Sequence, residues 1–220
     1  MTFVVLAACT GPSPPVPAPT AGRSVDSSPG HPTTQASNRV FSHEQLQDAL
    51  LTVADLPNGW RAAERKQEGP PSEDIRRQCS DLAEWSLRLR GAPEADFTRP
   101  DGTEVDESIW SFPEHEARKT LAGLSAAVAA CKGAKTRARD GTFIDVRMIL
   151  VPFPQIADEA FAYSATWTAY GISLGQQETA VVRRGGVLVS VSQDVTGAVS
   201  TALTEDIARR AVKKINEVLI

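Results

Sequence analysis

From Phe41 onward the apolar positions follow two periods in turn. Phe41-Ser42-His43-Glu44-Gln45-Leu46 opens a helix. Ser42 is a good N-cap, Gln45 lies three residues on as a capping box requires, and Phe41 and Leu46 are placed for a hydrophobic staple. Leu46, Ala49, Leu50 and Val53 continue as one apolar face, and Leu56-Pro57-Asn58-Gly59-Trp60 supplies turn residues that end it. A polar stretch to about Ser72 reads as loop. A second helix is expected over residues 73–90, buried through Ile75, Cys79, Leu82 and Leu89, with a break near Ser80. Residues 91–102 read as loop and 104–112 as a strand. Pro113 suits the first position of a third helix, whose stripe is Ala117, Leu121, Leu124, Val128 and Cys131.

The period then changes to two. In residues 142–151, Ile144, Val146, Met148 and Leu150 alternate with Phe143, Asp145, Arg147 and Ile149. In residues 160–170, Phe161, Tyr163, Ala165 and Trp167 share one face, as core residues would. The run around Arg183-Arg184-Gly185-Gly186 reads as a hairpin with a Gly-Gly turn, which sets Val182 opposite Val189 and Ala180 opposite Val191. A last helix over residues 204–219 buries Leu203, Ile207, Ala211, Val212, Ile215 and Leu219. Strands cluster late and are joined by short links. The expected fold is therefore α+β: a mostly antiparallel sheet of about five strands with helices packed on one face.

The N-terminal part has a different composition. Residues 1–8 are expected to be a signal peptide, ending in a short apolar run, Phe3 to Ala8, that cannot span a bilayer. Leu6-Ala7-Ala8-Cys9 resembles the lipobox of bacterial lipoproteins, in which the cysteine thiol is acylated and becomes the new N-terminus. Such signals begin with basic residues, and none precedes Arg23, so the natural start is expected upstream. Residues 9–40 are mostly Pro, Ser, Thr, Gly and Ala and read as a disordered tether. Fully extended the tether would reach on the order of 90 Å, and as a coil about 30 Å. Residues 41–220 form the folded domain. The implied location is the outer face of the cell membrane, with the membrane itself as a partner through lipidated Cys9.

With Cys9 assigned to lipid, Cys79 and Cys131 remain, and in an oxidising compartment such a pair is expected to form a disulfide. The formal charge of −4 gives no basis for a nucleic-acid partner. Neither a metal nor a cofactor is expected, because no His/Cys cluster has zinc spacing and no acidic loop has calcium spacing. No catalytic residue is assigned. His115 would be the base of an envelope hydrolase, but no serine stands in a nucleophile-elbow sequence; a solvated place at a helix end is the plainer reading.

The lipobox, the tether, the Leu50-Leu51-Thr52-Val53-Ala54-Asp55-Leu56-Pro57 segment, the Cys79/Cys131 spacing, the Arg-Gly-Gly hairpin and the C-terminal amphipathic helix occur together. In this layout the chain resembles the PknH-like extracellular sensor-domain family of actinobacteria, over about residues 41 to 220. The resemblance implies a domain with a central groove for an unidentified extracellular ligand. It departs from the kinase's own sensor domain, which has two disulfides where this chain has cysteines for one.

Two residue sets are candidates for ligand contact. Trp85, Trp110, Tyr163 and Trp167 either line a pocket or pack as core. Lys132, Lys135, Arg137 and Arg139 either meet anionic lipid or cell-wall polymer or form a solvated loop after a helix, where their charge suits the dipole. The expected function is a non-enzymatic ligand-binding or sensor lipoprotein, acting as a monomer on a small-molecule, lipid or envelope ligand. A lipid carrier and an envelope hydrolase are the alternatives.

Overall fold

The computed structural model describes residues 38–64, 72–138 and 140–220. The signal peptide, Cys9, nearly all of the tether, and Arg139 lie outside the described residues.

The helices are α1 (His43–Asp48), α2 (Glu73–Gln78), α3 (Ser80–Arg88), α4 (Glu114–Ala130) and α5 (Thr201–Val218). The strands are β1 (Arg61–Ala62), β2 (Glu94–Thr98), β3 (Glu104–Ser111), β4 (Gly133–Arg137), β5 (Phe143–Val151), β6 (Glu159–Ala169), β7 (Ile172–Arg184) and β8 (Val187–Val195). All eight join one antiparallel sheet in the order β1-β2-β3-β8-β7-β6-β5-β4.

The expectation of about five strands is thus too low. The strands it lacks, β1, β2 and β4, lie at the two margins of the sheet. β1 (Arg-Ala) and β4 (Gly-Ala-Lys-Thr-Arg) hold no fully buried residue and give little apolar signal, while β2 (Glu-Ala-Asp-Phe-Thr) turns Ala95 and Phe97 to the first face, an alternation of only two apolar positions in a stretch otherwise rich in turn residues. Lys135 and Arg137 of the basic run therefore belong to a strand and not to a loop. Lys135 and Arg137 stand exposed on an edge strand, where cations discourage pairing with other chains. The outer edge of β4 is further covered by Gln78 of α2, whose amide donates to the Lys135 carbonyl (2.7 Å) and accepts from its N–H (3.0 Å).

Helices also pack on both faces of the sheet, not on one. On the first face α1 and α5 cover Val105, Ile109, Ala162, Ala180, Val182, Val189 and Val191. On the second, α4 covers Val181 and Leu188, and α3 and α4 together cover Met148, Phe161 and Tyr163. The reason is visible in Ala180-Val181-Val182 and Val187-Leu188-Val189. Strands buried on both sides read as continuous apolar runs, whereas half-buried ones alternate.

Local signals explain the helix ends. Ser42 and Gln45 form the capping box of α1, with bonds of 3.2 and 2.9 Å. The helix stops at Asp48, short of Val53, because Thr52 and Asp55 form a second local box and start a 3-10 turn over Val53–Asp55. Lys214 of α5 then holds Asp55 at 3.0 Å. The break expected near Ser80 falls at Cys79, the joint between α2 and α3. Cys79 is bonded to Cys131 at the end of α4, with 5.1 Å between the Cα atoms. The disulfide staples this layer, as expected. The β7–β8 register pairs Val182 with Val189 and Ala180 with Val191.

Candidate functional site

The registers place side chains of the second face in rows running across the strands. One row reads Leu150, Tyr163, Thr179, Ser192, Asp106 and Asp96 along β5, β6, β7, β8, β3 and β2. The next reads Met148, Ala165, Gln177, Asp194, Glu104 and Thr98. On the β5–β6 side these rows are apolar and end under α4 and the disulfide. From Thr179 onward they become polar and increasingly acidic.

This polar strip is internally bonded. Thr179, only 3% exposed, shares a hydrogen bond of 2.9 Å with Ser192. The Gln177 amide donates to Asp194 at 3.1 Å. Asp106 sits between two other carboxyls. Burial pushes it up to about 8, reinforced by its hydrogen bond with Asp96 and by the charge of Asp194. At neutral pH this group holds a proton shared among neighbours. Chemically, the strip can accept an amine or cation, bond to hydroxyls, and give up one proton as it does so. Among the described residues, no group of three His, Cys, Asp or Glu side chains converges to hold a metal ion.

The opposite face holds a second buried acid. Glu107 accepts the Leu51 N–H at 2.7 Å, and burial pushes its carboxyl up to about 8. Near the start of α5, buried Glu178 accepts from the Thr201 hydroxyl at 2.8 Å. Gln193 accepts from the Ser200 amide and the Thr204 hydroxyl, both at 3.2 Å. Glu178 and Gln193 fasten the start of α5 to the sheet, and Glu107 fastens the segment that follows α1. At the other end of the strands, Asp158 accepts from the Gly185 N–H at 2.6 Å and from Arg184 at 3.1 Å. Burial opposes its ionisation, but these bonds and Arg183 hold it below its usual range.

Trp85, Trp110, Tyr163 and Trp167 all belong to the second-face layer but not to one pocket. Trp85 lies against Gly123 of α4, with Arg88 stacked on it at 4.5 Å. Tyr163 joins the same apolar cluster beneath the disulfide. Trp110 packs in the neighbouring cluster and donates its indole N–H to the Leu89 carbonyl at 2.7 Å. Trp167 pairs with Val146 and Gly175, farther along β6. His115 is exposed in the first turn of α4, with Nε2 4.0 Å from Glu116.

Sequence reasoning did not single out Asp96, Asp106 or Asp194. The available signal was Asp106-Glu107 in the middle of β3: adjacent carboxyls point to opposite faces of a strand, so one is carried onto each face, Glu107 fully buried and Asp106 partly so.

No family model matches the chain, and no curated protein matches it. Among solved structures, the extracellular domain of PknH from Mycobacterium tuberculosis is similar, with a TM-score of 0.57 and 13% identity over 82% of this chain and 98% of that one. An uncharacterized Rv0999 ortholog from Mycobacterium smegmatis has a TM-score of 0.42 and 12% identity over 81% and 97%. The first likeness shows a shared fold and nothing finer.

Proposed function

We propose that the chain is an extracytoplasmic lipoprotein whose folded part is a non-enzymatic ligand-binding or sensor domain, held at the outer face of a membrane by lipidated Cys9. The Cys79–Cys131 disulfide supports the location, since such bonds persist in oxidising compartments. The fold shared with an extracellular domain fits the same location.

The observation that carries the binding reading is the polar strip around Asp106. The rest of this face buries apolar side chains beneath helices. Three carboxyls crowd together here, their mutual repulsion and burial keep Asp106 protonated, and a bound amine would relieve that crowding. A ligand offering an amine or several hydroxyls would take over the shared proton's role. Two experiments separate the parts of the proposal. Cys9→Ala should move the protein from the membrane to the soluble fraction; fractionation like the unaltered chain refutes the anchor. For the strip, spermidine and solubilised peptidoglycan fragments serve as amine and hydroxyl probes in thermal unfolding. A rise in Tm that disappears in Asp106→Asn supports the assignment, and equal rises in both proteins refute it.

A further inference from the structure

The β6–β7 hairpin ends in a tip unlike the rest of the surface. Ala169 pairs with Ile172, so the loop is only Tyr170-Gly171. Both residues have positive φ, 52° and 78°, as a type I′ turn requires. Pairing with β8 stops at Gln176, so Ile172, Ser173, Leu174 and Gly175 project past that neighbour. The tip side chains are apolar and open: Tyr170 is 84% exposed, Ile172 68% and Leu174 48%. Phe143, 51% exposed, begins β5, and the pairing of Asp145 with Thr168 brings it level with Tyr170. From residue 160 to residue 177 the chain has no charged side chain.

Tyr170 is the one described non-glycine residue with positive φ. Asparagine followed by glycine is the pair such a turn favours. A tyrosine here weakens the turn while presenting an aromatic ring to solvent.

Cations border the tip. Residues 132–151 hold five cations and two carboxylates, a net +3 in a chain of net −4. Arg137 stacks over Phe143 at 4.4 Å, and Lys135 holds Asp145 at 3.2 Å. Arg147 pairs across from Thr166, which sets it about 13 Å behind the turn at the usual rise per residue.

We propose that this tip inserts into the headgroup region of an anionic phospholipid bilayer. The tip stands clear of β8 on one side, is flanked on the other by the β4–β5 hairpin with Arg137 and Asp140, and itself carries no charge. A tyrosine with apolar neighbours suits the interface between hydrocarbon and water. Cations set beside and behind it meet lipid phosphates.

The test uses the full chain carrying Cys9→Ser, so that no lipid anchor contributes and the result is independent of the anchoring proposal. The protein is sedimented with vesicles of equal parts phosphatidylglycerol and phosphatidylethanolamine, and with phosphatidylcholine vesicles. Binding is expected to the anionic vesicles and to be much weaker to phosphatidylcholine. Adding Tyr170→Asn and Ile172→Ser should lower binding about tenfold or more with no fall in Tm, because Asn-Gly suits the turn and Ile172 is exposed. Arg137→Gln with Arg147→Gln should weaken binding to the anionic vesicles alone. Failure of the Cys9→Ser chain to bind anionic vesicles overturns the proposal, as does equal binding by the tip variant. Self-association that the tip variant loses, with vesicles unbound, would assign the surface to a second copy of the chain and also overturn it.

Discussion

Glu107 offers a quantitative test of the packing on the first face. Its side chain is fully buried beneath α1 and α5; Oε2 accepts the Leu51 N–H, and Oε1 has no hydrogen-bond partner among the described residues. Burial is the main cause of its rise from 4.5 to about 8, Asp55 adds to it, and the Leu51 amide and Lys214 oppose it. Between those two values the unfolded chain releases a proton that the folded chain keeps. Stability therefore falls as pH rises, by about 1.4 kcal/mol per pH unit from this group alone. The contribution is whole below the unfolded value and is lost once pH has risen through the folded one. Glu107→Gln keeps the shape and an acceptor for Leu51 but cannot ionise. The variant's advantage over wild type should grow by roughly 3–4 kcal/mol between pH 5 and pH 8. Asp106, raised in the same direction, bends both curves alike and cancels in the difference. Urea unfolding followed by circular dichroism at several pH values measures that difference. A gap that stays constant, or narrows as pH rises, would show that Glu107 is ionised in the folded protein and that the packing argument is wrong.

Adjacent glycines in the β7–β8 turn should respond differently to alanine. At Gly185, with φ of 57° and nothing near its missing Cβ, the cost should be about 1–2 kcal/mol. At Gly186 a Cβ would meet the Phe112 carbonyl oxygen at 2.2 Å, and the cost should reach about 3 kcal/mol or more; the reverse order in thermal unfolding would contradict the close approach of β3 to this turn. Replacing both Cys79 and Cys131 with alanine opens a crosslink spanning 52 residues and should cost about 4 kcal/mol, measured by denaturant midpoint; no change in midpoint would remove the staple from the stability account. Gln78→Ala removes two bonds to the β4 edge and should cost about 1–2 kcal/mol, with faster hydrogen exchange at the Lys135 amide as its local sign.

The elements legible in the chain are those whose signals are local. Ser42 and Gln45 announce the α1 capping box because both partners lie within one turn. The Gly-Gly turn sets the β7–β8 register because its length leaves one choice, and the apolar stripes of α4 and α5 repeat at the helical period. The disulfide partners could be chosen because the reading left only two cysteines. The margins of the sheet were not legible, since β1 and β4 gain their place from a neighbour's hydrogen bonds and not from fully buried side chains, and the apolar signal of β2 is only Ala95 and Phe97. The second covered face was hidden for the opposite reason, because an apolar run such as Ala180-Val181-Val182 does not say how many sides it buries. The polar strip likewise depends on assembly. Asp96, Asp106 and Asp194 are separated in sequence and become neighbours only when β2, β3 and β8 pair, and a shared proton requires that proximity.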